Sequence, residues 1–218
     1  MATRTKTTTS DPWAKAVKHL RQVDEGWRAL VDRVGPCRLT VRPDRFGTLV
    51  RAIIGQQISA KAAASIDRRL RELAGEPHHY DPLLALGEPG LRGVGLSGVK
   101  ARYLLNLSDA VREGRVPIEL FHDWTDEQIV ESLTTIKGVG SWTAEMFLIF
   151  ALGRPDVLSV GDLGIRVGLR KHHGLLEMPT PKQCRELTEP LRPYRTAAMW
   201  YLWEEIDNPP ASKVLKGH

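Results

Sequence analysis

Gly138-Val139-Gly140-Ser141, well inside this 218-residue chain, have the types and order of an anion seat. Glycine tolerates positive φ and lets another backbone come close. Where such a turn feeds a helix, bare amides and the positive end of the helix dipole meet whatever approaches, and phosphate suits both. An ordinary glycine turn between helices fits the same letters, and the residues alone leave both readings open. Asp162 follows some twenty residues later, at the start of another helical stretch. It is either a plain helix N-cap or a fixed anion beside a centre that becomes positive during a reaction. Asp156, its near rival, is expected to be structural. Gln56-Gln57 falls at a break between two helices and is a polar turn or a projecting tip. His78 and His79 sit in a Gly/Pro-rich connection without carboxylate or cysteine at ligand spacing, so solvent-facing rings and no metal are expected.

The elements that must hold these residues are helical. Thr125 with Gln128 is a capping-box signal, and Ile129, Leu133 and Ile136 recur at helical spacing. After the glycine turn, Ser141 is the expected cap of a helix with Ala144, Phe147, Leu148 and Ala151 on one face, stopped by Gly153 and Pro155. Upstream, Asp11-Pro12 and Asp24 open helices carrying Trp13, Val17, Leu20 and then Trp27, Leu30, Val31, Val34. Pro43-Asp44 opens a stripe of Phe46, Leu49, Val50, Ile53 and Ile54, and Ser59 caps the helix through Ile66, Leu70 and Leu73. Asp81-Pro82 starts another helix, and Ser97 leads into one with Val99, Tyr103, Leu104 and Leu107. Lys100 and Arg102 either reach phosphates or lie on a solvated face. The run from Leu163 to His173 bears Arg166, Arg170, Lys171, His172 and His173 without an acid, which is a second backbone-contacting face or charge suited to a helix C-terminus. Thr180-Pro181 opens the next helix, and the last carries Ala198, Met199, Leu202, Trp203 and Ile206 before Asn208-Pro209-Pro210. No strand-like alternation of any length occurs, so the fold class is all-α.

Leu133-x-x-Ile136-x-Gly138-Val139-Gly140-x-Trp142-Thr143-Ala144 followed by Asp162 resembles the helix-hairpin-helix DNA glycosylase superfamily. Gly95-Leu96-Ser97-x-x-Lys100-Ala101-x-Tyr103 is similar to its alkylation-repair branch, the DNA-3-methyladenine glycosylase II type, and the likeness runs from about Phe46 to Glu205. The resemblance implies two helical subdomains with a DNA-binding cleft between them. One comprises residues 11–44 plus 151–218, the other residues 45–150 with the helix-hairpin-helix at 125–152, after a flexible tail over 1–10. It implies Asp162 as the catalytic carboxylate, Trp142 and Trp203 against the base, Gln57 as the wedge that fills the gap left by an extruded nucleotide, and Gly138, Val139, Gly140 and Ser141 on the DNA backbone. Trp200 is expected in the core. The lyase branch carries lysine where Trp142 stands, so hydrolysis without a Schiff base is implied. The resemblance admits a monovalent cation at the hairpin carbonyls and requires no other cofactor; two cysteines cannot hold an iron-sulfur cluster. A monofunctional glycosylase for alkylated purines is the reading that follows. A non-catalytic hairpin module that binds DNA, and a glycosylase for uracil or oxidised bases, are the alternatives.

Bulk properties fit this frame without specifying it. A net charge of +5 and pI near 9.4 favour a polyanionic partner, here double-stranded DNA with damaged bases. Cys37 and Cys184 are too few for a disulfide framework, and no run of eighteen apolar residues exists. A monomer in the cytoplasm, at a bacterial nucleoid, or in a nucleus is expected, neither secreted nor in a membrane.

Overall fold

The computed structural model describes residues 12–207, which form eleven α-helices and two short 3-10 segments. No strand occurs among the described residues, and no helix there is long and apolar enough to cross a membrane. The Asp11 start signal, the residue 1–10 tail and the Asn208-Pro209-Pro210 stop lie outside the described residues.

The chain divides into two compact units, residues 1–39 with 160–218, and residues 40–159. The expected boundaries lay a few residues inside the second unit. Backbone contacts explain the difference: Arg42 N–H donates to the Phe150 carbonyl at 2.7 Å, and Gly153 backs onto Val41, so both flanking segments fold with the middle helices.

The middle unit holds α3 (Arg45–Gly55), α4 (Ala60–Ala74), α5 (Tyr80–Gly93), α6 (Gly98–Arg112), α7 (Asp126–Thr134) and α8 (Ser141–Phe150). α3 is its centre, packing against α4, α6 and α8, with Leu49, Val50, Ile53 and Ile54 fully enclosed. Ser59, Ser97 and Thr125 cap their helices through side-chain oxygens, the last as a full capping box. The other unit holds α1 (Ala14–Val23), α2 (Glu25–Val34), α9 (Leu163–His172), α10 (Pro181–Thr188) and α11 (Arg195–Asp207). α11 packs on α9, α2 and α1, and its Trp200 is buried.

Several local expectations change. His79, not Asp81, caps α5, because its ring nitrogen accepts the Asp81 amide. Leu73 and Val99, expected on buried faces, are exposed. His78 is the larger correction. Its ring is buried, and Nε2 stands 2.7 Å from Asp67 Oδ1, while Asp67 also takes Arg71 at 3.1 Å. The loop histidine is thus an internal post that ties the connection after α4 back onto that helix.

Burial pushes the Asp67 carboxyl up, but the hydrogen bond and charge of His78, with the charges of Arg71 and Arg51, outweigh it and hold the group below its ordinary value. A carboxylate depressed in the fold contributes stability in full above its unfolded pKa of about 3.9 and loses it as pH falls through the folded value. Asp67→Asn is therefore expected to cost about 1–3 kcal/mol near neutrality and to flatten the loss of stability on acidification. Urea unfolding of both proteins between neutral and acid pH checks this; parallel acid limbs would refute it.

Candidate DNA interface and active site

The glycine turn joins α7 to α8 and is rigid from within. Val139 is buried, and its N–H donates to the Ile136 carbonyl at 2.9 Å. Gly138 has φ +105, and an added Cβ would overlap the ring of Tyr103, so both conformation and space demand glycine. Gly140 is different. It is extended, exposed, and open space surrounds the position of a Cβ. Gly140, not Ser141, is the N-cap of α8, with no side-chain bond at the cap; Ser141 is the first helical residue. The helix start is thereby left uncovered by its own cap side chain, the arrangement an anion seat needs. Trp142 and Thr143 follow at once, Trp142 half-buried and Thr143 buried.

The break after α3 is joined to this turn. Gln56 Nε2 donates to the Gly138 carbonyl at 2.9 Å and to Thr143 Oγ1 at 3.0 Å. Gln57 differs. It is exposed at φ +56, the single left-handed non-glycine residue among those described, a conformation that costs about 1–2 kcal/mol. Lys100, expected on a solvated face or at a phosphate, instead donates Nζ to the carbonyls of Ile54 and Gln56 at 2.7 and 2.6 Å. Burial lowers its pKa. Arg102 is exposed and pairs with Glu88 at 3.1 Å.

In the other unit, Asp162 caps α9: Oδ1 accepts the Ile165 amide at 2.9 Å and the Trp203 indole Nε1–H at 3.2 Å. Both predicted residues are therefore brought together on one oxygen. Two glycines make this approach possible, since a Cβ on Gly168 would fall 2.9 Å from Leu202 Cβ and one on Gly164 would fall 3.0 Å from Asp162 Oδ1 and 3.2 Å from the Trp203 ring. Asp156 lies in a turn of the other unit. Along α9, Arg166 Nε donates to the Pro179 carbonyl, Lys171 pairs with Glu205 at 3.6 Å, and His172 packs at a tilt against Trp27 with ring centroids 4.3 Å apart. The basic run is largely structural.

Among the described residues no cluster of three His, Cys, Asp or Glu side chains could hold a metal ion. The carbonyls of Ile136, Lys137 and Gly138 each accept a protein N–H, from Val139, Asn106 and Gln56.

Residues 50–193 match the family of HhH-GPD superfamily base excision DNA repair proteins, and the chain belongs to that superfamily. Among its relatives, DNA-3-methyladenine glycosylase 1 of Schizosaccharomyces pombe is 37% identical over 196 residues, spanning 87% of this chain and 86% of that protein. DNA-3-methyladenine glycosylase 2 of Escherichia coli is 31% identical over 170 residues, spanning 73% of this chain and 57% of that protein. The structure of the S. pombe 3-methyladenine DNA glycosylase in complex with abasic DNA superposes with a TM-score of 0.85 at 35% identity, over 91% of this chain and 100% of that one.

The two hairpin glycines separate in what they tolerate. Gly138→Ala is expected to destabilise by about 2–4 kcal/mol through overlap with Tyr103 and a disfavoured φ, and Gly140→Ala by less than about 1 kcal/mol. Denaturant midpoints of the two variants decide; equal costs would refute the distinction.

Proposed function

We propose that this chain is a monofunctional DNA glycosylase of base excision repair that hydrolyses the N-glycosidic bond of alkylated purines, of the 3-methyladenine and 7-methylguanine type, after the nucleotide leaves the duplex stack. The observation that carries this reading is the Asp162 carboxylate, held at a helix N-terminus by the Ile165 amide and the Trp203 indole.

The chemistry fits a fixed anion. As the bond between the sugar C1′ and the base nitrogen breaks, its electron pair leaves with the base and the sugar becomes an oxocarbenium-like cation that water then attacks. A carboxylate about 4 Å away at an effective dielectric near 20 is worth roughly 4 kcal/mol, about a thousandfold in rate. The remainder comes from holding and desolvating the nucleotide and from the substrate, since an alkylated purine leaves already carrying positive charge. Trp142 offers an indole face that attracts such a base. Gln57 occupies the gap in the duplex, and the hairpin amides grip the phosphates. No amine stands at Trp142, so no Schiff base forms and the strand stays intact.

A module that only bound DNA would gain nothing from a carboxylate fixed near an anionic backbone. Uracil and oxidised bases are neutral and would draw little on an indole face, which favours cationic purines. The partner is duplex DNA with damaged bases, met by a monomer in a bacterial nucleoid or a nucleus.

Asp162→Asn keeps an oxygen acceptor for both the Ile165 amide and the Trp203 indole, so the fold should persist while the charge is lost. Single-turnover release of methylated purines should fall about a thousandfold with DNA affinity retained; unchanged release would defeat the assignment. Borohydride added during turnover should trap no enzyme-DNA adduct, and a covalent species on a denaturing gel would overturn the monofunctional reading.

A further inference from the structure

α3 ends at Gly55 with no basic residue in its last turn; the Ile53 and Gly55 carbonyls accept the amides of Gln56 and Ile58, while the Ile54 carbonyl takes a donor from elsewhere. Lys100, in the first turn of α6, supplies one through its bonds to the Ile54 and Gln56 carbonyls. The second of these matters for more than capping. The Gln56 carbonyl belongs to the peptide plane that also contains the Gln57 nitrogen, and φ of Gln57 measures rotation about the next bond from that plane. A residue relaxing out of the left-handed region would swing this plane. An ammonium bonded to its oxygen, and to a helix carbonyl behind it, resists that swing. The Gln56 side chain fastens the same turn to the hairpin at Gly138 and Thr143, but it does not touch the plane itself.

We propose that Lys100 is a positioning residue for nucleotide extrusion: it clamps the peptide plane before Gln57, and so keeps that exposed side chain projecting in its left-handed conformation as the wedge. This rests on the glycosylase reading above. The half-buried ammonium, with its pKa lowered by burial, is committed to internal carbonyls rather than to DNA phosphates.

The role predicts a pattern that general loosening of the fold would not produce. Single-turnover excision is measured for one alkylated purine in a stable base pair and for the same lesion opposite an abasic-site analogue, where no pair must be broken. The proteins compared are the unaltered chain, Lys100→Met, Gln57→Ala and the double variant. Lys100→Met is expected to slow excision from the stable pair about tenfold and from the unpaired site less than about twofold, and to add nothing in the Gln57→Ala background. Equal slowing on both substrates, or an undiminished effect without Gln57, would overturn the proposal. Should Lys100→Met melt below the assay temperature, Lys100→Gln, a shorter and uncharged side chain, carries the same comparison with the same two outcomes. Fluorescence of 2-aminopurine placed beside the lesion reports unstacking without chemistry. If the unaltered chain excises nothing, the glycosylase reading fails, and that signal still decides: weaker unstacking with Lys100→Met supports the clamp, equal unstacking refutes it.

Discussion

A single carboxylate oxygen, Asp162 Oδ1, is shared by a helix amide and an indole, and much of its unit is arranged so that it can be. α9 approaches α11 closely because Gly164 and Gly168 present no side chains to Trp203 and Leu202. A larger residue at either position would separate the helices and pull the indole off the acid. At the far end of α9, Lys171 pairs with Glu205 of α11, which also takes Arg33, joining α2, α9 and α11 around a nearly buried carboxylate. Ion pairs of this kind add little net stability but are costly to break, so they fix relative helix position more than they strengthen the fold. Asp162 therefore moves only if α9 moves.

The middle unit solves a different problem, that of exposing polar backbone and a strained residue without letting the chain relax around them. Gln56 and Gln57 are adjacent and identical in type, yet one is turned inward to the hairpin carbonyl and the other outward at φ +56. The inward one makes the hairpin and the tip parts of one body, since Gly138, Thr143 and the turn after α3 share a single amide nitrogen. Each such hydrogen bond is worth only about 0.5–1.5 kcal/mol net, but leaving the buried Thr143 or the carbonyl without a partner would cost more. The glycine hairpin is thus held by a side chain from another helix as well as by its own Val139.

Periodicity and capping chemistry made the helices readable, because a stripe such as Phe46, Leu49, Val50, Ile53 and Ile54 states both the element and its buried face. Thr125 with Gln128 formed the capping box its spacing announced. What stayed hidden depended on partners distant in the chain. Nothing local marks Gln56 as a clamp 82 residues away from Gly138, or Lys100 as the donor to a helix end 44 residues back. His78 looked like a loop residue because its connection is Gly/Pro-rich; Asp67, one helix earlier, is what draws it inside. The resemblance implies a role for Trp203 against the base, but its bond to Asp162 required the two helices to be seen packed.

The basic run on α9 shows why charge is a poor guide to a phosphate-binding face. Five basic residues over Arg166 to His173 fit either a second backbone-contacting face or charge suited to a helix C-terminus. In the fold, Arg166 and Lys171 have internal acceptors, and burial, with the neighbouring His173, lowers the pKa of His172 above Trp27. Burial lowers that of His173 as well. Two of the five are thus pushed toward neutrality by the packing that orders the helix. Residues committed to internal contacts offer fewer mobile cations to replace counterions on a nucleic acid. In the proposed reaction, the amide and the indole on Asp162 Oδ1 are neutral donors, which orient the acid without adding a positive charge of their own.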